Sequence, residues 1–182
     1  SYEAPPDVAE VAADALAQGK FVGWFQGRME YGARALGNRS ILADPSGPKV
    51  KDRLNGQVKF REWFRPFCPS VLADTAKEWV RDPTDSPYMM VAFESTEKMA
   101  SMAPAVVHVD GSIRPQFVKG PENPRYCDLI QAFAKRTSLP LVLDTSFNVR
   151  GEPIVCTPLE AVRCFAGTGL DMLVLGDFVL RK

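Results

Sequence analysis

Short apolar runs alternate with four helical stretches, and that interleaving limits the folds open to this chain more than any other feature. Phe21–Phe25, Arg39–Ala43, Ser70–Ala73, Tyr88–Phe93, Val106–Val109, Leu141–Leu143 and Met172–Leu175 each have the length and residue types of a strand. Between them, Pro6 and Asp7 open an alanine-rich helix that Gly19 ends. Asn123–Arg136 sets Tyr126, Leu129, Ile130, Phe133 and Ala134 on one helical face, and Thr157-Pro158 caps a helix running to Phe165. Val50–Val58 reads as a polar-faced helix, and Met172–Leu175 as the closing strand. Strands and helices mix irregularly, with no repeat or long linker. The expected fold class is therefore α/β (α+β mixed), a single domain over 1–182 with a twisted mixed β-sheet flanked by helices.

Composition excludes several function classes. The 182 residues hold 22 basic and 22 acidic side chains, so no net field recruits a polyanion or an anionic membrane. No apolar run nears the roughly 20 residues that span a bilayer, and no secretory leader is visible at Ser1–Asp7. A cytoplasmic chain is expected, and the missing starting Met suggests a piece of something longer. Cys68, Cys127, Cys156 and Cys164 form no C-x-x-C pair and His108 is the single histidine, so no metal site is expected, only buried reduced thiols.

The neutral total conceals a local imbalance. Residues 26–65 carry nine basic and four acidic side chains, a net +5, and the remainder carries −5. Three polar segments stand out. Gly27–Ser40 (GRMEYGARALGNRS) combines tight-turning glycines with Arg28, Arg34 and Arg39, planar forks that suit phosphate oxygens. It matches neither G-x-x-x-x-G-K-[ST] nor G-x-G-x-x-G. Lys51–Phe67 alternates cations with Phe60, Trp63, Phe64 and Phe67, of which Phe64 and Phe67 are expected in the core. Asp144–Val155 (DTSFNVRGEPIV) follows a buried strand, at the carboxyl end where α/β sheets place ligands. A loop whose arginines pair with local acids, or a turn without a ligand, would have the same composition. Ser146 lies outside any G-x-S-x-G elbow, which argues against a hydrolase nucleophile.

Taken together, Gly23–Pro45, the K-F-R-E-x-F-R-P-F-x-P-S-V run at Lys59–Val71 and T-S-F-N-x-x-G-E-P-I-V at Thr145–Val155 resemble the carboxy-terminal domain of the O-carbamoyltransferase family. That family includes the NodU-type nodulation enzymes and antibiotic-tailoring carbamoyltransferases. Ala33 stands where family members usually have Pro, and Asp144 where Asn is common. The resemblance implies a YrdC-like fold that binds ATP, with Mg²⁺, and carbamoyl phosphate, and makes carbamoyl-adenylate. It also implies a separate amino-terminal, actin-like domain, carrying iron, that passes the carbamoyl group to an acceptor hydroxyl. By motif position it assigns Lys59, Arg65 and Ser146 to catalysis, and Arg34, Arg39, Lys59, Arg61, Arg65, Arg114, Ser146 and Asn148 to substrate and nucleotide binding. His108 is expected to be a structural hydrogen-bonding residue. Two other readings stand beside this one: a threonylcarbamoyl-adenylate synthase of tRNA modification, and a non-catalytic RNA-binding module.

Overall fold

The computed structural model describes residues 2–182. Strand β1 (Tyr2–Glu3) leads to α1 (Val8–Ala17), whose first turn is closed by Asp7 Oδ1 accepting from the N–H groups of Ala9 and Glu10. Strands β2 (Val22–Phe25) and β3 (Arg39–Ala43) bracket the glycine-rich loop. Helix α2 (Val50–Leu54) runs into a π-helical turn at Asn55–Lys59 before β4 (Cys68–Leu72). Helix α3 (Ala76–Trp79), β5 (Phe93–Glu94), α4 (Glu97–Met102) and β6 (Ser112–Ile113) form an excursion from which β7 (Gln116–Val118) returns. The chain ends with α5 (Pro124–Thr137), β8 (Leu141–Ser146), α6 (Pro158–Gly167), β9 (Met172–Leu175) and β10 (Phe178–Arg181).

Eight strands make one mixed sheet in the order β1-β10-β9-β2-β3-β8-β4-β7, while β5 and β6 pair apart from it. Neighbours β2/β9 and β4/β7 are parallel and the others antiparallel. Every residue of β2, β3 and β4 is buried, as strands covered on both faces must be. Helix α5 presents Tyr126, Leu129, Ile130 and Phe133 to the core and packs along α1, where Arg136 reaches Glu10 and Asp14 at 2.6 and 2.5 Å. Among the described residues, no helix is long and apolar enough to cross a membrane.

Several expectations need correction. Of Tyr88–Phe93 only Phe93 is in a strand, since Met89 adopts a left-handed φ of 53° that breaks extended pairing. Val106–Val109 is not a strand: Pro104–Val106 forms a 3₁₀ turn, and the chain then folds back through a His108–Gly111 hydrogen bond. The fold closes with β10, beyond Met172–Leu175. Phe67 is buried as expected, but Phe64 is 60% exposed, stacked edge-on against Trp63.

Helix α6 begins in a reciprocal cap: Thr157 Oγ1 accepts from Glu160 N–H, and Glu160 Oε2 accepts from the N–H groups of Cys156 and Thr157. Thr157→Ala should cost about 1 kcal/mol and lower Tm by about 2–4 °C in calorimetry. An unchanged Tm would show that Glu160 alone closes this end.

Candidate functional site

The site is built where the glycine-rich loop, the π-turn and the end of β8 meet. Residues 27–38 fold around one carboxylate. Glu30 Oε1 accepts from the backbone N–H groups of Leu36, Asn38 and Arg39 at 2.7, 2.8 and 3.3 Å. Gly37, at φ +95°, passes so close to Tyr126 that a Cβ there would lie 2.2 Å from the ring. Only glycine fits, and the loop is thereby pinned to α5 with Arg34 left exposed near its tip.

The second segment turns sharply. The π-helical turn ends at Phe60, a non-glycine residue at φ 46°. Such turns and such strain collect at functional sites. Their effect here is to send Lys59 inward. Its Nζ donates to the carbonyls of Ser146 and Asn148 and to Asn148 Oδ1, at 2.8, 2.9 and 2.6 Å. Burial, helped by the nearby Arg61 charge, pulls this amine down to about 7. Ser146 Oγ donates to Asn148 Oδ1 at 2.8 Å, so the Ser-x-Asn pair and Lys59 form one locked unit.

In front of that unit lies a cavity of about 420 Å³ walled by Arg34, Arg61, Arg65, Arg114, Asp144 and Ser146, among others. Arg61 is anchored from behind: its Nε donates to Asn55 Oδ1 at 2.8 Å, and its guanidinium lies 4.4 Å over the Phe67 ring. Burial and the like charge of Arg65 lower its pKa. Arg114 reaches Cys68 Sγ at 3.3 Å and leaves its buried Nε without a partner. Arg65, more exposed, is 3.6 Å from Glu62. Among the described residues Arg34, Arg61 and Arg114 have no carboxylate within ion-pair distance. Clustered, uncompensated guanidinium charge is what an anionic ligand with several oxygens requires.

The structure thus brings five of the expected residues, Arg34, Arg61, Arg65, Arg114 and Ser146, to one cavity. Lys59 and Asn148 stand directly behind Ser146. Arg39 is the exception. It is buried, its Nη atoms donate to the carbonyls of Gln26, Asn38 and Gly27, and it stacks 3.5 Å over the Phe25 ring. Its place in β3 points it inward, where it ties the loop ends together. His108, half-buried, pairs Nδ1 with Ser112 Oγ in the turn after Pro104–Val106. Three thiols are buried and Cys156 is exposed. Sequence reasoning missed Glu30, the hub of the loop, and Asp144, the acidic group of the cavity wall.

Fold and site together define an α/β domain in which a mixed sheet carries an arginine-lined cavity. Solved structures share that architecture. Full-length HypF in its phosphate- and nucleotide-bound form superposes with a TM-score of 0.61 at 15% identity, over 99% of this chain and 22% of that one. P. abyssi Sua5 complexed with L-threonine gives 0.64 at 12%, over 92% and 46%. The chain belongs to the carbamoyltransferase C-terminus family, whose model matches residues 13–182. Nodulation protein NolO of Bradyrhizobium diazoefficiens is 49% identical over 97% of this chain and 33% of its own. The 3'-hydroxymethylcephem-O-carbamoyltransferase of Amycolatopsis lactamdurans is 37% identical over 90% and 31%. The chain spans about a third of the length of these curated relatives.

Proposed function

We propose that this domain binds ATP and carbamoyl phosphate in the arginine cavity and forms carbamoyl-adenylate, which a preceding part of a longer polypeptide passes to an acceptor hydroxyl. The observation that carries this reading is the convergence of Arg34, Arg61, Arg65 and Arg114 on one cavity beside the Lys59–Ser146–Asn148 unit. Water first takes the phosphoryl group from carbamoyl phosphate, leaving carbamate and phosphate. A carbamate oxygen then attacks the α-phosphorus of ATP, the bond to the β-phosphate bridging oxygen breaks, and pyrophosphate leaves.

Repulsion between the reactants is the main barrier that this chain can lower. Guanidiniums fixed before binding stabilise the gathering negative charge without reorganising. Arg61 and Arg114 hold phosphate oxygens from the cavity wall, Arg34 and Arg65 close over them from the rim, and Lys59 keeps Ser146 aimed at the reacting phosphate. No covalent protein nucleophile is needed. Among the described residues no three His, Cys, Asp or Glu side chains cluster as metal ligands. Magnesium would therefore be held by the nucleotide's own phosphate oxygens, and an iron centre does not fit these residues.

Carbamoyl phosphate should support exchange of labelled pyrophosphate into ATP by this chain, and threonine with bicarbonate should not. Nucleotide binding without any exchange, in a folded sample, would sink the adenylate step. Exchange driven by threonine and bicarbonate would move the domain to the threonylcarbamoyl class.

A further inference from the structure

The wall of the arginine cavity holds a carboxyl that the proposed reaction does not use. Asp144 is 1% exposed and lines the cavity beside Thr145 and Ser146. Its Oδ2 is 2.8 Å from the Tyr126 hydroxyl and 2.9 Å from Ser70 Oγ. Ser70 Oγ is also 2.9 Å from Gln116 Oε1, and Gln116 Nε2 donates to the Leu36 carbonyl at 3.2 Å.

The protons available to this row settle the charge on Asp144. The bond to Leu36 fixes the Gln116 amide, because the flipped amide would set two acceptor oxygens face to face. Oε1 is therefore an acceptor, and Ser70 has one proton for two oxygen neighbours. With Asp144 ionised, one of the two 2.9 Å O···O contacts holds no hydrogen, and a buried contact of that kind is costly. A proton on Oδ2 removes the conflict. Oδ2–H donates to Ser70, Ser70 donates to Gln116, and Oδ2 keeps a lone pair for the Tyr126 hydroxyl.

The surroundings agree. Tyr126 faces the carboxyl from α5 and Glu30 from the loop, Cys68 lies opposite it in β4, and Arg34, Arg61, Arg65 and Arg114 line the same cavity. Lys59 lies behind Ser146. Burial raises the carboxyl most, Glu30 adds to the rise, and the Tyr126 hydroxyl, which donates to it, holds it back, leaving it at about 7.

We propose that Asp144 is a positioning residue that works as a neutral carboxylic acid, its proton completing a relay through Ser70 and Gln116 to the Leu36 carbonyl and so setting the loop that carries Arg34. This rests on the cavity being the anion site, but not on which reaction runs there. An anion seated beside Asp144 strengthens its hold on the proton, so affinity falls as the free protein loses that proton.

Two measurements on the full chain test it. Carboxyl-labelled aspartate followed by carbon NMR, without ligand, should show one resonance that titrates near neutrality and is missing from Asp144→Asn. Titration of that resonance near pH 4 would overturn the proposal. Pyrophosphate dissociation constants at pH 6 and 8.5 should then be compared between the two proteins. Their ratio cancels the titrations of pyrophosphate and of Lys59, which both samples share. The wild type should lose about tenfold relative to Asp144→Asn as the pH rises, and a ratio independent of pH would overturn the coupling. If Asp144→Asn does not fold, Asp144→Ala takes its place in both measurements, since it too removes the titrating carboxyl. If pyrophosphate fails to bind at either pH, the proposed function is at fault, and the ligand-free resonance decides the Asp144 proposal by itself.

Discussion

Lys59→Met should lower carbamoyl-phosphate-dependent exchange by at least about 100-fold. A hydrogen bond from a charged group contributes about 1.5–3 kcal/mol, and Nζ makes three short ones, all to the Ser146–Asn148 segment. Without them Ser146 is free to turn from the cavity and the site loses a cation next to it. Methionine has similar length, so packing is largely kept. The stability profile gives a second reading. Because the folded amine sits at about 7, well below the 10.5 of an exposed lysine, the unfolded chain holds a proton between those values that the folded chain has released. Stability contributed through Lys59 therefore rises with pH across that window. The wild type should gain melting temperature on Lys59→Met between pH 7 and 9.5. Parallel profiles would show that the three carbonyl oxygens keep the amine charged throughout.

How Lys59 comes to be buried marks the boundary of what sequence can tell. The run K-F-R-E-W-F-R-P-F reads as cations alternating with aromatics, of which Phe64 and Phe67 are expected in the core. Yet Phe64 and Trp63 lie in solvent, because the chain leaves its helix through a π-turn and reverses at a left-handed Phe60. Neither event has a local signature, since phenylalanine is a poor choice for φ > 0 and only the surrounding structure holds it there. The inward course of Arg39 is hidden for a related reason: its partners at Gln26, Asn38 and Gly27 are backbone carbonyls, which no side-chain pattern reveals.

Local chemistry was legible where it decides structure by itself. Asp7, Asn123 and the Thr157/Glu160 pair start α1, α5 and α6 where capping rules put them. Strands β3 and β9 fall on their apolar runs. The edge strand β1 is two residues long and pairs with β10 from the far end of the chain, so no periodicity announces it. The three polar segments were found by composition. That they share a single cavity follows from the order β3-β8-β4 in the sheet, which sets the glycine loop, the Ser146 segment and the stretch before Cys68 side by side.

That same juxtaposition gives the arginines unequal weight, and Arg61 should matter most. Its Nε is held by Asn55 and its plane lies on Phe67, so the outer fork enters the cavity with little freedom left to lose. Arg61→Ala should reduce kcat/KM for carbamoyl phosphate by about 10–150-fold, the range set by one charged hydrogen bond of 1.5–3 kcal/mol. Arg61→Lys should recover little of this. An ammonium keeps the charge but has no plane to lay on Phe67 and cannot donate at once to Asn55 and, in fork geometry, to a phosphate. Arg65 makes the internal comparison. More exposed, and 3.6 Å from Glu62, it pays side-chain entropy on closing over a ligand, so Arg65→Ala should cost only about 1 kcal/mol, in the range of exposed ion pairs. Near-wild-type kinetics for Arg61→Lys would mean that charge alone suffices at this position. An Arg65→Ala loss larger than that of Arg61→Ala would put the reacting phosphate at the rim and not against the Phe67 wall.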